Sequence, residues 1–301
     1  APFLTAVPIP SYENVRGVPL LSLRGAASLA VAPASGAGLD AEVQQAVVAH
    51  LAASQAALDA ASRGLLSSFW QEWAHIESQF VSVAVAIDTT PLTPEQRLQL
   101  PLLMATAFKL PCAADGAAAA LSKDDFVAAL QADTVRYACD TGCIRGGSSQ
   151  LLTFFVQVEL DGGSGLEVAL KWLRRALYLT QLTPELLGIA VKRELSQIPA
   201  AVRSGSGVMS ALSWLTNYTD ADNDLNGHAL RQQPFLLELE AQLSTSEGGA
   251  AAVATLTALR TLLLQPQRMN VFVAGDLTKL SAPHNALAAA LRPPSGAPPA
   301  A

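Results

Sequence analysis

The chain has 301 residues, of which 50% are hydrophobic and only 15% charged, and its net charge is −6. That composition supports one or two domains around a large apolar core. The scattered Lys and Arg form no basic stripe, which excludes phosphate-backbone recognition of nucleic acids. No apolar run approaches the ~20 residues of a membrane span.

Residues 1–38 are rich in Pro, Gly, Ser and Ala, with a short extended piece at Val18 to Leu23, and read as a connecting arm. The opening Ala-Pro-Phe lacks an initiator Met and no secretory signal follows, so a processed product or an excised piece is expected. From Asp40, a candidate N-cap, the Ala-rich stretch to Leu66 predicts one long helix with a modest stripe of Val43, Val47, Leu51 and Leu58. Trp70 and Trp73 stand as core anchors at the end of a sheet.

The run FVSVAVAID (80–88) predicts a strand. Thr93-Pro94-Glu95 opens a helix with Pro at its first position, and Pro101 kinks or splits that helix. Ser122 and Asp125 make a capping box for a helix ending near Leu130. Residues 134–142 and 151–160 predict two strands joined by a turn in which Gly146-Gly147 supplies positive φ. After a Gly/Ser turn at 162–165 comes the amphipathic helix LEVALKWLRRALYL, with Arg174-Arg175 on its polar side. Further helices are expected from Thr183-Pro184-Glu185 toward Pro199, over Val208 to Tyr218, from Pro234 to Leu243 and from Ala250 to Leu264. MNVFVAGDL (269–277) is a buried strand, and the Pro-rich tail from Arg292 is low in complexity. The whole predicts an α+β fold, a mostly antiparallel sheet covered by helices on one side and preceded by a helical linker. The expected divisions are an arm and linker over 1–75, an α+β domain over 76–280 and a flexible tail over 281–301.

The three cysteines, Cys112, Cys139 and Cys143, are an odd number, which argues against a disulfide framework and for a reducing intracellular compartment, cytosol or organelle. Cys139 and Cys143 have no second Cys/His pair at zinc-ligand spacing. The string Asp222-Asn-Asp224-Leu-Asn226-Gly227 matches the opening of an EF-hand loop, with oxygen donors at positions 1, 3 and 5 and Gly at 6. Position 12 is Gln233 instead of the bidentate Glu, so a turn-rich inter-helix loop is the simpler expectation and calcium the alternative. No G-x-S-x-G elbow is present, and the glycine pairs follow no phosphate-binding pattern.

The order of these elements, with the strings HIESQFVSVAVAIDTTPLTPEQRLQLPLL, ALKWLRRALYLTQLTPELL, IPAAVRSG and NVFVAGDLTKL, resembles the pitrilysin/insulinase zinc peptidases, the inverzincins, in their presequence-protease-like branch. The resemblance spans roughly residues 70–280. It implies a half-lobe domain like those of the mitochondrial processing peptidase, one of four that enclose a peptide between two bowl-like halves. Zinc in that family is held by H-x-x-E-H, whose spacing puts both imidazoles on one helix face beside the Glu that activates water. None of His50, His75, His228 and His284 has Glu at +3 and His at +4. No catalytic, cofactor-binding or metal residue is therefore expected in this chain, and the resemblance places zinc in the missing catalytic half. The implied function is a non-catalytic half-lobe of a zinc metalloendopeptidase that closes the chamber and helps bind peptide. The alternative is an inactive relative serving as scaffold or core subunit of a larger complex. Implied partners are the remaining domains of its own peptidase, or other subunits, and a peptide substrate.

Overall fold

The computed structural model describes residues 21–25 (backbone only), 40–116, 119–142 and 150–294. Strands β1 (Leu21–Gly25), β2 (Trp70–His75), β3 (Phe80–Asp88), β4 (Arg136–Thr141), β5 (Leu151–Glu159) and β6 (Met269–Gly275) form one sheet in the order β1-β2-β6-β3-β5-β4. All neighbours are antiparallel except β2 and β6, which run parallel with Trp73 beside Val273. The fold is α+β with a mostly antiparallel sheet, as the sequence predicts.

Alternation in the central strands decides where the core lies. Val81, Val83, Val85 and Ile87 of β3, Leu152, Phe154, Val156 and Val158 of β5, and Met269, Val271 and Val273 of β6 all point into the main hydrophobic core. Helix α6 (Gly165–Arg174) crosses this face, burying Leu166, Leu170, Trp172 and Leu173. Phe126 of α5 (Lys123–Asp133) meets the Trp172 ring edge-on at 5.3 Å. The cap residues perform as their chemistry dictates. Thr93 and Gln96 close a capping box on α3 (Pro94–Leu98), Ser122 accepts from the Asp125 N–H, and Thr183 accepts from the Leu186 N–H at the head of α7 (Pro184–Arg203). Pro101 does split the segment, with α4 running over Leu100–Thr106.

Several expectations change. The Ala-rich stretch is two helices, α1 (Ala41–Ala56) and α2 (Ala60–Leu66), because the Asp59 carboxylate accepts from the Ser62 N–H at 2.6 Å and caps a new start. Asp40 sits at the N-cap of α1 without a side-chain bond. Trp70–His75 is a strand of the sheet, so an arm-and-linker boundary at 75 does not follow the pairing: β1, β2 and β6 are contiguous. Helix α7 continues through Pro199 to Arg203. Beyond it lie α8 (Gly205–Asn217), α9 (Asn223–Gly227), α10 (Ala229–Leu243) and α11 (Ser246–Leu263). The expected flexible tail contains α12 (Pro283–Leu291), whose Leu287, Ala288 and Leu291 are buried in the core. Tyr178 donates to the Leu291 carbonyl and Arg292 to Ser62 Oγ, both at 3.1 Å, which ties the end of this helix to the body. The turn carrying Gly146-Gly147, together with Cys143, lies outside the described residues. No helix among the described residues is long and apolar enough to cross a membrane.

The strands β2 and β3 run antiparallel to each other, joined by residues 76–79, yet β6 is inserted between them. The inserted strand ends tightly under that turn. The Ile76 N–H donates to the Gly275 carbonyl at 2.9 Å, and a Cβ on Gly275 would stand only 2.9 Å from the Phe80 carbonyl oxygen. Glycine is what lets the backbones approach there.

Candidate functional site: the outer edge of β4 and the second sheet face

The second face of the sheet is built from the alternate residues of the same strands. Registers place Ala138, Phe155, Ala84, Phe272 and Glu72 in one row across β4, β5, β3, β6 and β2. Asp140, Thr153, Ala86, Asn270 and Trp70 form the next, and Arg136, Gln157, Ser82, Ala274 and Ala74 the third. Ala74, Ala84 and Phe155 are buried but stand outside the main core. The result is a shallow floor of small residues bordered by Phe155, Phe272 and the exposed Trp70. Gln157 donates to Ser82 Oγ at 3.1 Å, and the Arg136 guanidinium lies over the Phe155 ring at 5.6 Å, closing the floor on the β4 side.

Strand β4 ends the sheet, and no described strand pairs with its outer side. Gly142 donates to the Leu151 carbonyl, so the even-numbered residues of β4 form the hydrogen-bonded pairs with β5. The main-chain N–H and C=O groups of Tyr137, Cys139 and Thr141 therefore point outward. Their side chains turn toward the helical face, where the Tyr137 ring meets Phe108 at 5.4 Å. Burial pushes the Cys139 thiol well above its ordinary range, and the side chain packs against the main core.

The EF-hand-like string lies beside the far end of this edge, and its polar groups are engaged in bracing. Thr141 Oγ1 donates to Asp224 Oδ1 at 3.0 Å, tying the end of β4 to α9. Asp222 Oδ2 accepts from the Thr219 N–H and hydroxyl, while its Oδ1 accepts from the Gln150 amide. The Asn226 amide donates to the Asp220 and Asp222 carbonyls. Between them Asn223, a residue the sequence did not single out, is buried. It accepts from Arg97 at 2.6 Å and donates to Thr89 Oγ1 at 2.8 Å. Residues 223–227 are helical, so Asp222, Asp224 and Asn226 do not converge as a calcium cage. Millimolar calcium is expected to leave the melting temperature unchanged; a rise that Asp222→Ala removes would restore the calcium reading.

Three of the four histidines, His50, His75 and His284, lie at the opposite end of the sheet. His75 is buried, accepts from the Leu277 N–H at 3.2 Å through Nδ1 and lies 3.8 Å from Asp276 Oδ1. His284 of α12 lies against the Trp73 ring at 4.9 Å, and its main-chain N–H donates to Ser54 Oγ of α1. His50, also on α1, meets the Leu280 carbonyl at 2.9 Å. Trp73 Nε1, His75 Nε2 and His284 Nδ1 have no hydrogen-bond partner among the described residues. Burial lowers the His75 pKa, with Asp276 opposing, and takes His284 down to about 4, so both rings are neutral near pH 7. Among the described residues, no group of three or more His, Cys, Asp or Glu converges. Two clefts of about 580 and 460 Å³ open at this end, sharing Ser78, Gln79 and Lys279. Lys279 there is held by Asp276 at 2.7 Å.

Against known proteins, no family model matches the chain and no curated protein matches it. Solved structures do share its fold. A conserved protein from Enterococcus faecalis superposes with a TM-score of 0.51 at 13% identity, over 74% of this chain and 50% of the other. A structure described as a protease from Helicobacter pylori gives 0.49 at 12% identity, over 70% and 47%. The chain spans about half the length of these structures, and the first likeness is one of fold.

Proposed function

We propose that this chain is a non-catalytic, peptide-accommodating lobe of a zinc metalloendopeptidase of the pitrilysin/insulinase type, with the zinc chemistry supplied by residues outside it. The observation that carries the reading is the outer edge of β4, which no described strand pairs, beside the small-residue floor. Outward main-chain groups at Tyr137, Cys139 and Thr141 offer an extended peptide a ladder of backbone bonds, the mode of strand addition. Arg136 and Asp140 stand on the floor side of the same strand and would flank the added chain. Such recognition depends little on sequence, which suits a lobe that helps enclose varied peptides.

Fluorescence anisotropy of a labelled, unstructured peptide of ~20 residues tests it. The chain is expected to bind the peptide and leave it uncut. Cys139→Pro removes an outward N–H without touching the β5 ladder, and edge strands tolerate proline. It should weaken binding by about tenfold or more while the melting temperature holds. Undetectable binding by the unmodified chain, or equal binding by the variant, refutes the edge as the peptide site.

A further inference from the structure

Helix α8 is apolar on two sides. Its inner stripe of Gly207, Ala211, Trp214 and Tyr218 faces the body, with Ala211 buried and the Trp214 ring meeting Tyr218 at 6.3 Å and His228 at 5.3 Å. Its outer stripe is Val208, Met209, Leu212 and Leu215, which are 47%, 67%, 55% and 50% exposed. Helices apolar on both sides belong inside a structure, and four half-bare aliphatic residues in register are more than scattered surface apolarity. The charge pattern says what covers them. No residue from Ser204 to Thr219 carries a formal charge, whereas Arg203 stands at the amino-terminal end of α8 and Asp220 just past its carboxyl-terminal end.

We propose that the outer stripe of α8 is an interface with a second copy of this chain, the two α8 helices packing antiparallel about a twofold axis. Val208, Leu212 and Leu215 follow the four-then-three spacing of a helix–helix seam and mesh with themselves across such an axis. The antiparallel order sets Arg203 of one copy against Asp220 of the other at both ends of the seam; a parallel order would set like charges together. Asp220 already accepts from Arg231 of its own chain at 2.6 Å, and that exposed pair leaves carboxylate capacity for a second guanidinium. Thirteen residues of helix make a contact only about 20 Å long, so the dimer is a weak one.

Sedimentation equilibrium from ~1 to ~300 µM tests this, since weak interfaces dissociate in that range. The mass of the unmodified chain should climb from 31.3 kDa toward twice that value. Leu212→Glu should stay monomeric throughout with its helical melting curve intact, because the side chain it replaces is half exposed. Arg203→Glu should shift the dimerisation midpoint to about tenfold higher concentration, in a salt-dependent way. Ile189→Glu, at a 60% exposed position on α7 outside the stripe, should behave as the unmodified chain. A monomer at every concentration overturns the proposal, as does disruption by Ile189→Glu equal to that by Leu212→Glu. An Arg203→Glu protein that dimerises like the unmodified chain overturns the antiparallel arrangement.

Discussion

Asn223→Ala is expected to destabilise the fold by about 3 kcal/mol, because it strands a buried guanidinium. Arg97 is 1% exposed, and its charge is compensated locally. It donates to Asn223 Oδ1 at 2.6 Å and to the Thr90 carbonyl at 3.0 Å, with the carboxylates of Asp222 and Asp88 near enough to raise its pKa against the lowering by burial. Removing the Asn223 amide also frees Thr89 Oγ1, which is fully buried. A charge left in the interior costs more than a charge replaced. Arg97→Met combined with Asn223→Leu should therefore cost well under the sum of the two single changes. Urea unfolding of Asn223→Ala, Arg97→Met, Asn223→Leu and the double variant measures this. Additive losses, or a loss below about 1 kcal/mol for Asn223→Ala, would show that Arg97 finds water or another acceptor. Because this bond network joins the exit of β3 to α9, and α9 to Thr141, the variant should also loosen the end of the peptide edge.

Acid should destabilise the protein in a window set by histidine rather than by carboxylates. The pKa of His284 falls from 6.5 to about 4 on folding because the ring is buried against Trp73 with His50 nearby. That of His75 falls too, through burial opposed by Asp276 and Glu77, while Lys279 adds to the lowering. A depressed folded-state pKa means that the unfolded chain binds the proton first. The contribution of these groups is complete above about pH 6.5 and is lost as pH falls toward 4. For His284 the loss is about 3 kcal/mol across that window. Denaturant midpoints at pH 7.5, 6 and 4.5 should fall in step, and His284→Phe, which keeps a ring against Trp73, should flatten the decline. An unchanged slope in that variant would assign the acid sensitivity to other groups. Lowered carboxylate pKa values, such as that of Asp115 beside Arg174, act below this window.

The strands β3, β5 and β6 are legible because each is a short apolar run bounded by turn residues, and the caps at Thr93, Ser122 and Thr183 announce their helices. Strand β2 is not, because two of the residues it turns inward are polar. Gln71 is buried with its amide on the Leu66 carbonyl, and His75 with its ring on the Leu277 N–H, partners that no local pattern reveals. Helix α12 hides in an Ala-rich stretch next to a low-complexity tail, and only its contacts across the fold give it a face. The histidine cluster depends on α1, β2 and α12 meeting, with Ser54 and His284 separated by 230 positions. The EF-hand-like string is the reverse case. Its spacing is visible, while its oxygens are directed by Thr141, Gln150 and Thr219, two of which lie more than seventy positions away.

The insertion of β6 between β2 and β3 has a consequence for how the molecule comes to exist. Among the described strands, the one that joins the two parts of the sheet comes last in the chain. In the folded sheet β2 and β3 lie two strand spacings apart, about 10 Å, and without β6 two bare edges would face each other. A sheet of this form without β6 has an open slot lined by the main-chain groups of Ser82 to Ile87 on one side and Trp70 to His75 on the other. Closure links residues about 200 positions apart, which places it late and makes it slow. A chain stopped before Met269 would keep that slot open, and its natural fate is to be filled by a strand from a neighbouring molecule.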